Sequence, residues 1–532
     1  MRLLLILLLV GAPALAQTGR APFEVRLAAS VFGQAFAFIA TRALEPVMVQ
    51  DLAVWGLNSV AGLDPSLSVR VDAGAIRLLQ GGRDIYQRGV PPAQGDPDGS
   101  AASERAGLLW GPAVADVLSA AWDASDAVRR AGTAGVVAAV MDEVVTHLDP
   151  YSRYVAPGAA DLDRDKRLGD AGAGLRLSRQ GRAIMVLSVN QAGPAADAGI
   201  VAGDRLMAVD DQPVEGEDLA SVLAMIAGPE GTDVSLTIRS RNGIVRTVEA
   251  ERAVVPPETV FADRRGDLLL IRIAGFSADT DQRLRQELTR WLDGRDGSRL
   301  RGVVIDLRGN RGGLLRQAVS TTDLLQGPGL IATTAGRNPA ARHDFVSQET
   351  DRSEGLPMAV LVDGRSASAA EIMAAALADS GRAVVIGSGT LGKGLVQTVA
   401  NLPDGGEIFV TWSRVLAPRG WPIQGLGVMP QVCTSAGPDS LAQQLASLAR
   451  GSSRMASAIA RHRAARAPLP PAEILSLREN CPAADGPDMG RDIARDAGRD
   501  GARDGGRDLD LATARTVLAN ARAYQAALLQ PR

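Results

Sequence analysis

The sequence of 532 residues contains very few histidines, cysteines and lysines. Its three histidines (His147, His343 and His462) and its two cysteines lie far apart, so they form no cluster with the spacing of zinc ligands. We therefore predict no metal site, and nothing in the sequence calls for a cofactor. A triad of serine, histidine and aspartate is disfavoured for the same reason, which makes lysine the better candidate for a general base.

The chain also lacks an excess of positive charge and long apolar runs. Its formal net charge is −3, so it has no global basic field that would attract nucleic acid or anionic lipid, and we predict no nucleic-acid partner. After the N-terminus, no uninterrupted apolar stretch approaches the ~20 residues of a membrane span, so we expect a soluble mature chain. The length and a hydrophobic content of 46% predict two to four packed domains.

The N-terminal segment Met1–Ala16 has the form of a secretory signal peptide. An apolar run, Leu3–Val10, follows an arginine, and an Ala-Leu-Ala ending fits a cleavage site. Gln17 comes next, so no lipobox cysteine would anchor the mature chain. We expect a periplasmic protein, and in an exported protein Cys433 and Cys481 could pair as a disulfide, with two free thiols as the alternative.

The stretch that begins at Met358 predicts a buried strand, a tight turn and a helix. Met358–Val362 is apolar throughout, and Ser368 stands where an alanine-rich helix would begin. Unpaired N–H groups and the positive end of the helix dipole could stabilise negative charge there, which suits a nucleophile. The alternative is that Ser368 is only an N-cap, because Ser368 and Glu371 also fit a capping box.

Lysine usage favours the nucleophile interpretation. Arginine provides almost all of the 57 basic residues, and the only lysines are Lys166 and Lys393. Lys393 lies in a glycine-flanked turn, Thr390–Gly394, after the apolar run Ala383–Ile386. Arginine stays protonated, whereas a desolvated lysine can lose its proton and act as a base. The sequence therefore predicts a serine and lysine pair.

These motifs resemble those of the S41 family of carboxy-terminal processing proteases, which are PDZ-containing Ser/Lys peptidases. The family's S-A-S-A-S-E box appears here from Ser366 to Glu371, and its T-F-G-K-G box appears as Thr390–Gly394. The resemblance implies that Ser368 is the nucleophile, that Lys393 is the general base, and that Gln397, one helical-type step further on, orients the lysine. Two positions depart from the family pattern, Ala370 for a serine and Leu391 for a phenylalanine.

Residues 163–252 resemble a PDZ domain. The run Gly193–Leu206 is close to the P-A-x-x-A-G-x-x-x-G-D phrase of bacterial PDZ domains. By this resemblance, the backbone N–H groups of a loop would receive the C-terminal carboxylate of a bound peptide. The loop residues are Gly172, Ala173, Gly174 and Leu175.

The predicted protease domain covers residues 253–432. Two mainly apolar segments, Leu268–Ile273 and Gly302–Leu307, predict buried strands, and the second leads into a segment that resembles the family's D-L-R-x-N-x-G-G box. Glycines there would let backbone N–H groups approach a substrate carbonyl. We predict that the N–H groups of Gly312 and Ala369 form the oxyanion site.

The remaining regions carry weaker signals. Residues 17–162 have a mostly helical apolar spacing, with a predicted loop at residues 87–103. In the C-terminal region, 433–532, repeated Arg-Asp phrases predict a low-complexity linker at residues 489–510. The run Leu509–Leu529 is amphipathic and predicts a helix.

Together these features predict an α/β multidomain protein. The resemblance implies a protease core of the crotonase-like superhelix type, a PDZ domain, and helical N- and C-terminal regions. It also implies an exported serine endopeptidase that recognises the C-termini of protein substrates, and it leaves open a helical-repeat adaptor and a homo-oligomer. The alternative is a catalytically idle PDZ scaffold or chaperone of the cell envelope, which the retained Ser368, Lys393 and Gln397 disfavour.

Overall fold

The structure is a computed structural model that describes residues 22–72, 74–92, 101–168, 170–190, 193–292, 300–466, 469–485 and 508–530. The predicted signal peptide and most of the predicted linker lie outside these ranges. The chain forms two compact units. Of the described residues, unit 1 comprises those within 22–41, 46–156 and 400–408, and unit 2 comprises those within 42–45, 157–399 and 409–530.

Unit 1 is mainly helical, with one small sheet. Its helices are α1 (Val25–Arg42), α2 (Val49–Asn58), α3 (Val60–Leu63), α4 (Ala101–Ala124) and α5 (Asp126–Thr146), and its strands are β1 (Leu67–Val71), β2 (Ala75–Gln80), β3 (Arg83–Gly89) and β4 (Arg153–Val155). Strands β1, β2 and β3 form an antiparallel sheet that the helical spacing did not predict. The predicted loop at residues 87–103 was therefore wrong at both ends, because Gln87 pairs with Arg77 in this sheet and Ala101 begins α4.

Unit 2 begins with α6 (Pro157–Leu168) and the PDZ-like domain. That domain contains β5 (Asp170–Gly172), β6 (Leu175–Gln180), β7 (Ala183–Val189), α7 (Pro194–Asp197), β8 (Arg205–Val209), β9 (Gln212–Pro213), α8 (Leu219–Ile226), β10 (Asp233–Arg239), β11 (Val245–Glu251) and β12 (Ala253–Val255). Its main sheet has the order β11-β10-β8-β7-β6, and inward side chains of β7, β8 and β10 form the core with α8. The predicted boundary at residue 163 falls inside α6, and β12 pairs with β5, so the domain extends to residue 255.

The rest of unit 2 is a larger α/β domain. Its first elements are β13 (Val260–Arg265), β14 (Leu268–Ile273), α9 (Thr280–Leu292), β15 (Gly302–Asp306), α10 (Leu315–Gln326), β16 (Gly329–Ala335), β17 (His343–Ser347) and β18 (Met358–Val362). Then follow α11 (Ala369–Asp379), β19 (Val384–Gly387), β20 (Leu395–Asn401), β21 (Glu407–Leu416), β22 (Val432–Cys433), α12 (Pro438–Ala449), α13 (Ala456–His462), α14 (Pro471–Arg478), α15 (Leu509–Ala519) and α16 (Ala521–Ala527). The mixed α/β fold is therefore as predicted.

The central sheet of this domain has the order β13-β14-β15-β18-β19-β22. All pairs after β13 are parallel, and β15 and β18 are buried along their whole length. Continuous burial explains why these strands are almost entirely apolar, since helices cover both faces of a parallel sheet, and the one charged residue in them is Asp306 at the end of β15. The carboxyl ends of β15, β18 and β19 lead into the segments that carry the predicted site residues.

The two faces of this sheet are covered by different parts of the chain. Helices α9, α10 and α11 share one core with the first face, and α11 is buried at every position, which explains its run of alanines. Helices α12, α15 and α16 cover the second face, where Leu448, Val517 and Tyr524 contact the sheet. The C-terminal region therefore completes the core of this α/β domain.

The predicted helix at Leu509–Leu529 is two helices. Asn520 ends α15 in an extended conformation, and its side chain caps α16 by accepting a hydrogen bond from the Ala523 N–H (3.1 Å). Among the described helices, none combines the length and apolar character needed to cross a membrane.

Candidate active site

Ser368 lies between β18 and the N-terminus of α11. Its backbone has φ 56° and ψ −117°, a region that non-glycine residues rarely adopt. An ordinary N-cap residue is extended, so capping alone does not require this geometry. Strained backbone is a feature of nucleophile turns between a strand and a helix, where it presents the side chain to the substrate.

The turn before Ser368 is tied to the glycine-rich segment that follows β15. Asp363 is 2% exposed, and its Oδ1 accepts hydrogen bonds from the N–H groups of Gly309 (2.9 Å), Arg365 (3.0 Å) and Ser366 (2.9 Å). The Ser366 hydroxyl donates to the carbonyl of Leu307 (2.8 Å). These bonds join the ends of two neighbouring strands.

Glu371 connects the turn of Ser368 to the base loop, which we define as Thr390–Gly394. Its Oε2 accepts from the N–H groups of Ser368 (2.8 Å) and Lys393 (2.8 Å). Its Oε1 accepts from the Gly392 N–H (2.6 Å) and from the Thr390 hydroxyl. Glu371 is fully buried, and that burial raises the pKa of its carboxyl group while these donors oppose the increase. One carboxylate therefore fixes the backbone of both predicted catalytic residues.

Lys393 is half-buried at the start of the segment that becomes β20, and Gln397 lies within that strand. The expected helical step between them was wrong, because β20 is extended. The Gln397 Nε2 donates to the Thr411 hydroxyl (3.1 Å) on β21, so cross-strand contact sets the orientation of its amide. This arrangement fixes Gln397 on the strand that leaves the base loop.

Gly312 and Ala369, the predicted oxyanion donors, lie beside Ser368. A Cβ placed on Gly312 would lie 2.9 Å from the Ser368 Cβ and 3.1 Å from the Ala369 nitrogen. Only glycine fits such an approach, and its φ of 99° also requires glycine. The Gly312 N–H, however, donates to Oδ1 of buried Asn310 (2.8 Å), so in this structure that N–H is not directed at a substrate.

The loop Gly172, Ala173, Gly174 and Leu175 lines a groove of about 470 Å³. Leu223 and Ile226 of α8 form its other wall, and residues 255–258, Phe261 and Ala274 extend it. The carbonyls of Ala173 and Gly174 accept hydrogen bonds from the N–H groups of Ala195 (2.9 Å) and Asn190 (2.9 Å). The loop carbonyls are thus held inside the domain, and Leu223, 43% exposed, presents an apolar surface to the groove.

Cys433 and Cys481 form a disulfide with an S–S distance of 2.01 Å. Cys433 ends β22, and Cys481 follows α14 by three residues. The bridge therefore links the central sheet to a segment beyond the predicted protease domain. The sequence had offered this pairing as a possible disulfide, with two free thiols as the alternative. Sequence reasoning missed the role of Glu371, although the position of Glu371 in the capping box was a signal.

Comparisons with known proteins agree with this architecture. Residues 267–434 match Peptidase family S41, and residues 185–240 match a PDZ domain. A carboxy-terminal-processing protease of Bartonella bacilliformis is 34% identical over 288 residues, which cover 54% of this chain and 66% of that protein. The carboxy-terminal processing protease CtpA of Bacillus subtilis is 32% identical over 287 residues, which cover 53% of this chain and 60% of that protein.

Among solved structures, the photosystem II D1 C-terminal processing protease is 27% identical, with a TM-score of 0.34, and the match covers 59% of this chain and 86% of that one. Of the Bartonella bacilliformis and Bacillus subtilis proteases, this chain spans less than two thirds of the length. These findings define a protein that joins a peptidase domain to a PDZ domain. The chain therefore contains a domain of peptidase family S41 and a PDZ domain, and the resemblance predicted from the serine and lysine motifs is confirmed at this level.

Proposed function

We propose that this chain is an exported serine endopeptidase that binds protein C-termini through its PDZ domain and cleaves peptide bonds with a Ser368 and Lys393 pair. The observation that carries the proposal is the buried Glu371, which accepts hydrogen bonds from the N–H groups of both residues. A capped helix does not need this second contact. The signal-like segment at residues 1–16 supports export, and a periplasmic location follows from it.

In this mechanism the Lys393 amine accepts the proton of Ser368 Oγ while that oxygen attacks the substrate carbonyl. Negative charge moves to the carbonyl oxygen, where the Ala369 N–H and the positive end of the α11 dipole stabilise it. The lysine then gives the proton to the leaving amine, and the peptide bond breaks. Water, activated by the same amine, hydrolyses the acyl-enzyme in the second half of the reaction.

Two neighbouring groups would assist these steps. The Gly312 N–H becomes a second oxyanion donor when the substrate oxygen replaces Asn310 Oδ1 as its acceptor. The amide nitrogen of Gln397 is held by Thr411, so its Oε1 is the atom that would accept a hydrogen bond from the Lys393 amine. That bond would direct the lone pair of the amine toward Ser368.

The PDZ groove would capture the C-terminus of a protein substrate. A peptide laid beside β6 would extend the sheet, its carboxylate would meet the N–H groups of the Gly172–Leu175 loop, and an apolar last side chain would contact Leu223. The groove also contains Phe261 and Ala274, which belong to the protease domain. A bound C-terminus would therefore lie next to the domain that cleaves the substrate.

The test is cleavage of an unfolded protein by the purified chain that begins at Gln17, with new termini identified by mass spectrometry. We expect Ser368→Ala to lower the cleavage rate by more than about 1,000-fold. The exposed Ser68 on β1 provides the matched control, and Ser68→Ala should cleave at the parent rate. If the parent and the Ser368→Ala variant both bind C-terminal peptides and neither cleaves, the chain is a scaffold.

A further inference from the structure

A segment beyond the matched peptidase residues packs against the candidate active site. We call residues 471–485 the C-terminal clamp; it contains α14 and Cys481, and it follows the 267–434 match. The sequence motifs assign no function to this segment. Its contacts, however, are with the base loop and with the turn before Ser368.

Arg478 lies in the last turn of α14 and donates hydrogen bonds to backbone carbonyls of the base loop and of the segment Gly425–Leu426. One guanidinium nitrogen, Nη2, donates to the carbonyl of Thr390 (2.6 Å). The other, Nη1, donates to the carbonyls of Gly425 (3.1 Å) and Leu426 (3.2 Å), and reaches that of Leu391 at 3.4 Å. The Arg478 side chain thus contacts four backbone carbonyls, two from the base loop and two from the segment Gly425–Leu426.

The Gly425-Leu426-Gly427 segment is shaped to receive the clamp. A Cβ on Gly427 would lie 3.1 Å from Arg478 Nη1, and a Cβ on Gly425 would lie 2.8 Å from Ile474 Cδ1. Both glycines also have positive φ, 66° and 77°. The two glycines therefore leave room for the side chains of α14 as well as allowing the turn.

Arg478 and Glu371 act on opposite polar groups of the base loop. Glu371 accepts hydrogen bonds from its N–H groups and from the Thr390 hydroxyl, whereas Arg478 donates to its carbonyls. The Glu371 carboxylate thus holds the N–H groups of the loop that carries Lys393, and the Arg478 guanidinium holds its carbonyl groups. A guanidinium group can make several such bonds in a fixed geometry, which lysine cannot.

Two further contacts anchor the clamp. The Ala484 carbonyl accepts hydrogen bonds from the Gly364 N–H (2.8 Å) and from the Ser388 hydroxyl (2.9 Å). The disulfide to Cys433 fixes Cys481, whose N–H donates to the Arg478 carbonyl (3.0 Å). The position of the Arg478 backbone is therefore set by a covalent link to the central sheet.

We propose that Arg478 is a positioning residue for the base Lys393, and that the Cys433–Cys481 disulfide holds it in place. This inference rests on the proposed peptidase function. In this role Arg478 acts through its hydrogen bonds to the base loop and keeps that loop at the geometry that proton transfer from Ser368 requires. A displacement of about 1 Å far from the reacting atoms can cost on the order of 100-fold in rate.

The test compares Arg478→Gln with the matched control Arg461→Gln, an exposed arginine at the end of α13. Active sites are titrated to completion with a fluorophosphonate, so kcat is expressed per folded site. We expect Arg478→Gln to lower kcat about 10- to 100-fold with KM within about twofold. The inflection of its pH–rate profile should move to higher pH, because a loosened lysine amine gains water and hydration favours its charged form.

A second variant, Cys433→Ser combined with Cys481→Ser, should lower kcat per site in the same direction and by a smaller factor. Hydrogen exchange adds a readout that needs no cleavage, and the amides of Gly392 and Lys393 should exchange faster in Arg478→Gln. The inference would be overturned if Arg478→Gln had the same kcat per site, the same pH inflection and the same amide exchange as the parent protein. It would also be overturned if the variant only lowered the number of folded sites. If the parent itself does not cleave, the proposed function fails, and the exchange result still decides whether Arg478 holds the base loop.

Discussion

Replacing Glu371 with glutamine tests whether one buried carboxylate holds the nucleophile and the base together. Oε1 accepts hydrogen bonds from Thr390 and Gly392. Oε2 accepts from Ser368 and Lys393. Glutamine has the same shape but keeps only one of the two oxygens. Its NH₂ group, itself a hydrogen-bond donor, would face the two donors that now bind the other oxygen. Two buried donors therefore lose their acceptor.

The expected magnitude follows from these contacts. Each unsatisfied buried donor costs about 1–3 kcal/mol, so the gross loss is about 2–6 kcal/mol. Burial raises the pKa of Glu371, which means that its charge is costly inside the protein, and a neutral side chain recovers part of that cost. We expect the free energy of unfolding to fall by about 2 kcal/mol, which a domain stable by about 5–15 kcal/mol tolerates.

The effect on catalysis should exceed the effect on stability, because the same bonds fix both backbones at the site. We expect the single-turnover cleavage rate to fall on the order of 100-fold. Urea denaturation followed by circular dichroism measures the first quantity, and quenched-flow cleavage measures the second. Glu230→Gln, at an exposed position of the PDZ domain, is the control. A variant at Glu371 with the parent cleavage rate and the parent urea midpoint would refute the reasoning.

Three further predictions address the base, the pH dependence and the PDZ groove. Lys393→Arg should abolish cleavage while leaving the melting temperature nearly unchanged, since arginine cannot become the neutral base; retained cleavage would exclude lysine from that role. Burial and the nearby charge of Arg463 lower the pKa of His462 from 6.5 to about 4. The unfolded chain therefore binds more protons between these values, and stability should fall by about 3 kcal/mol as the pH drops from 6.5 to 4, as measured by urea denaturation. His462→Gln should flatten that pH dependence, and an equal slope in both proteins would contradict the assignment. A peptide with an apolar, free C-terminus should bind the Ser368→Ala chain more tightly than its amidated form by fluorescence anisotropy, and equal titrations would rule out carboxylate capture.

The sequence predicted the parts of the fold whose signals are local. Met358–Val362 and Leu268–Ile273 are strands with the predicted bounds, because strands buried on both faces are mostly apolar, and Arg272 is the one charged residue in the two. Gly312 was placed next to Ser368 by resemblance, and the structure brings the two together. Each of these inferences depended on a short run of residues or on one recognisable motif.

The parts that could not be predicted depend on residues far apart in the chain. Arg308 is buried between Asp306 and Asp508, and its Nη2 donates to Asp508 across 200 positions (2.7 Å). Nothing near Asp508 indicates that partner, since its surroundings form a low-complexity run of alternating charge. The register of β20 against β21 likewise sets the orientation of Gln397, and local spacing alone suggested a helix there.

The cover of the second sheet face also determines the order in which this protein can assemble. Leu361 and Ile386 lie on a face that α15 and α16 close, and those helices are made more than 100 residues later. A chain that emerges from its N-terminus has already produced the segments of Ser368 and Lys393 while that face is still open. The central sheet is thus incomplete until α15 and α16 have been made, so the segments of Ser368 and Lys393 cannot reach their final packing before those two helices join them.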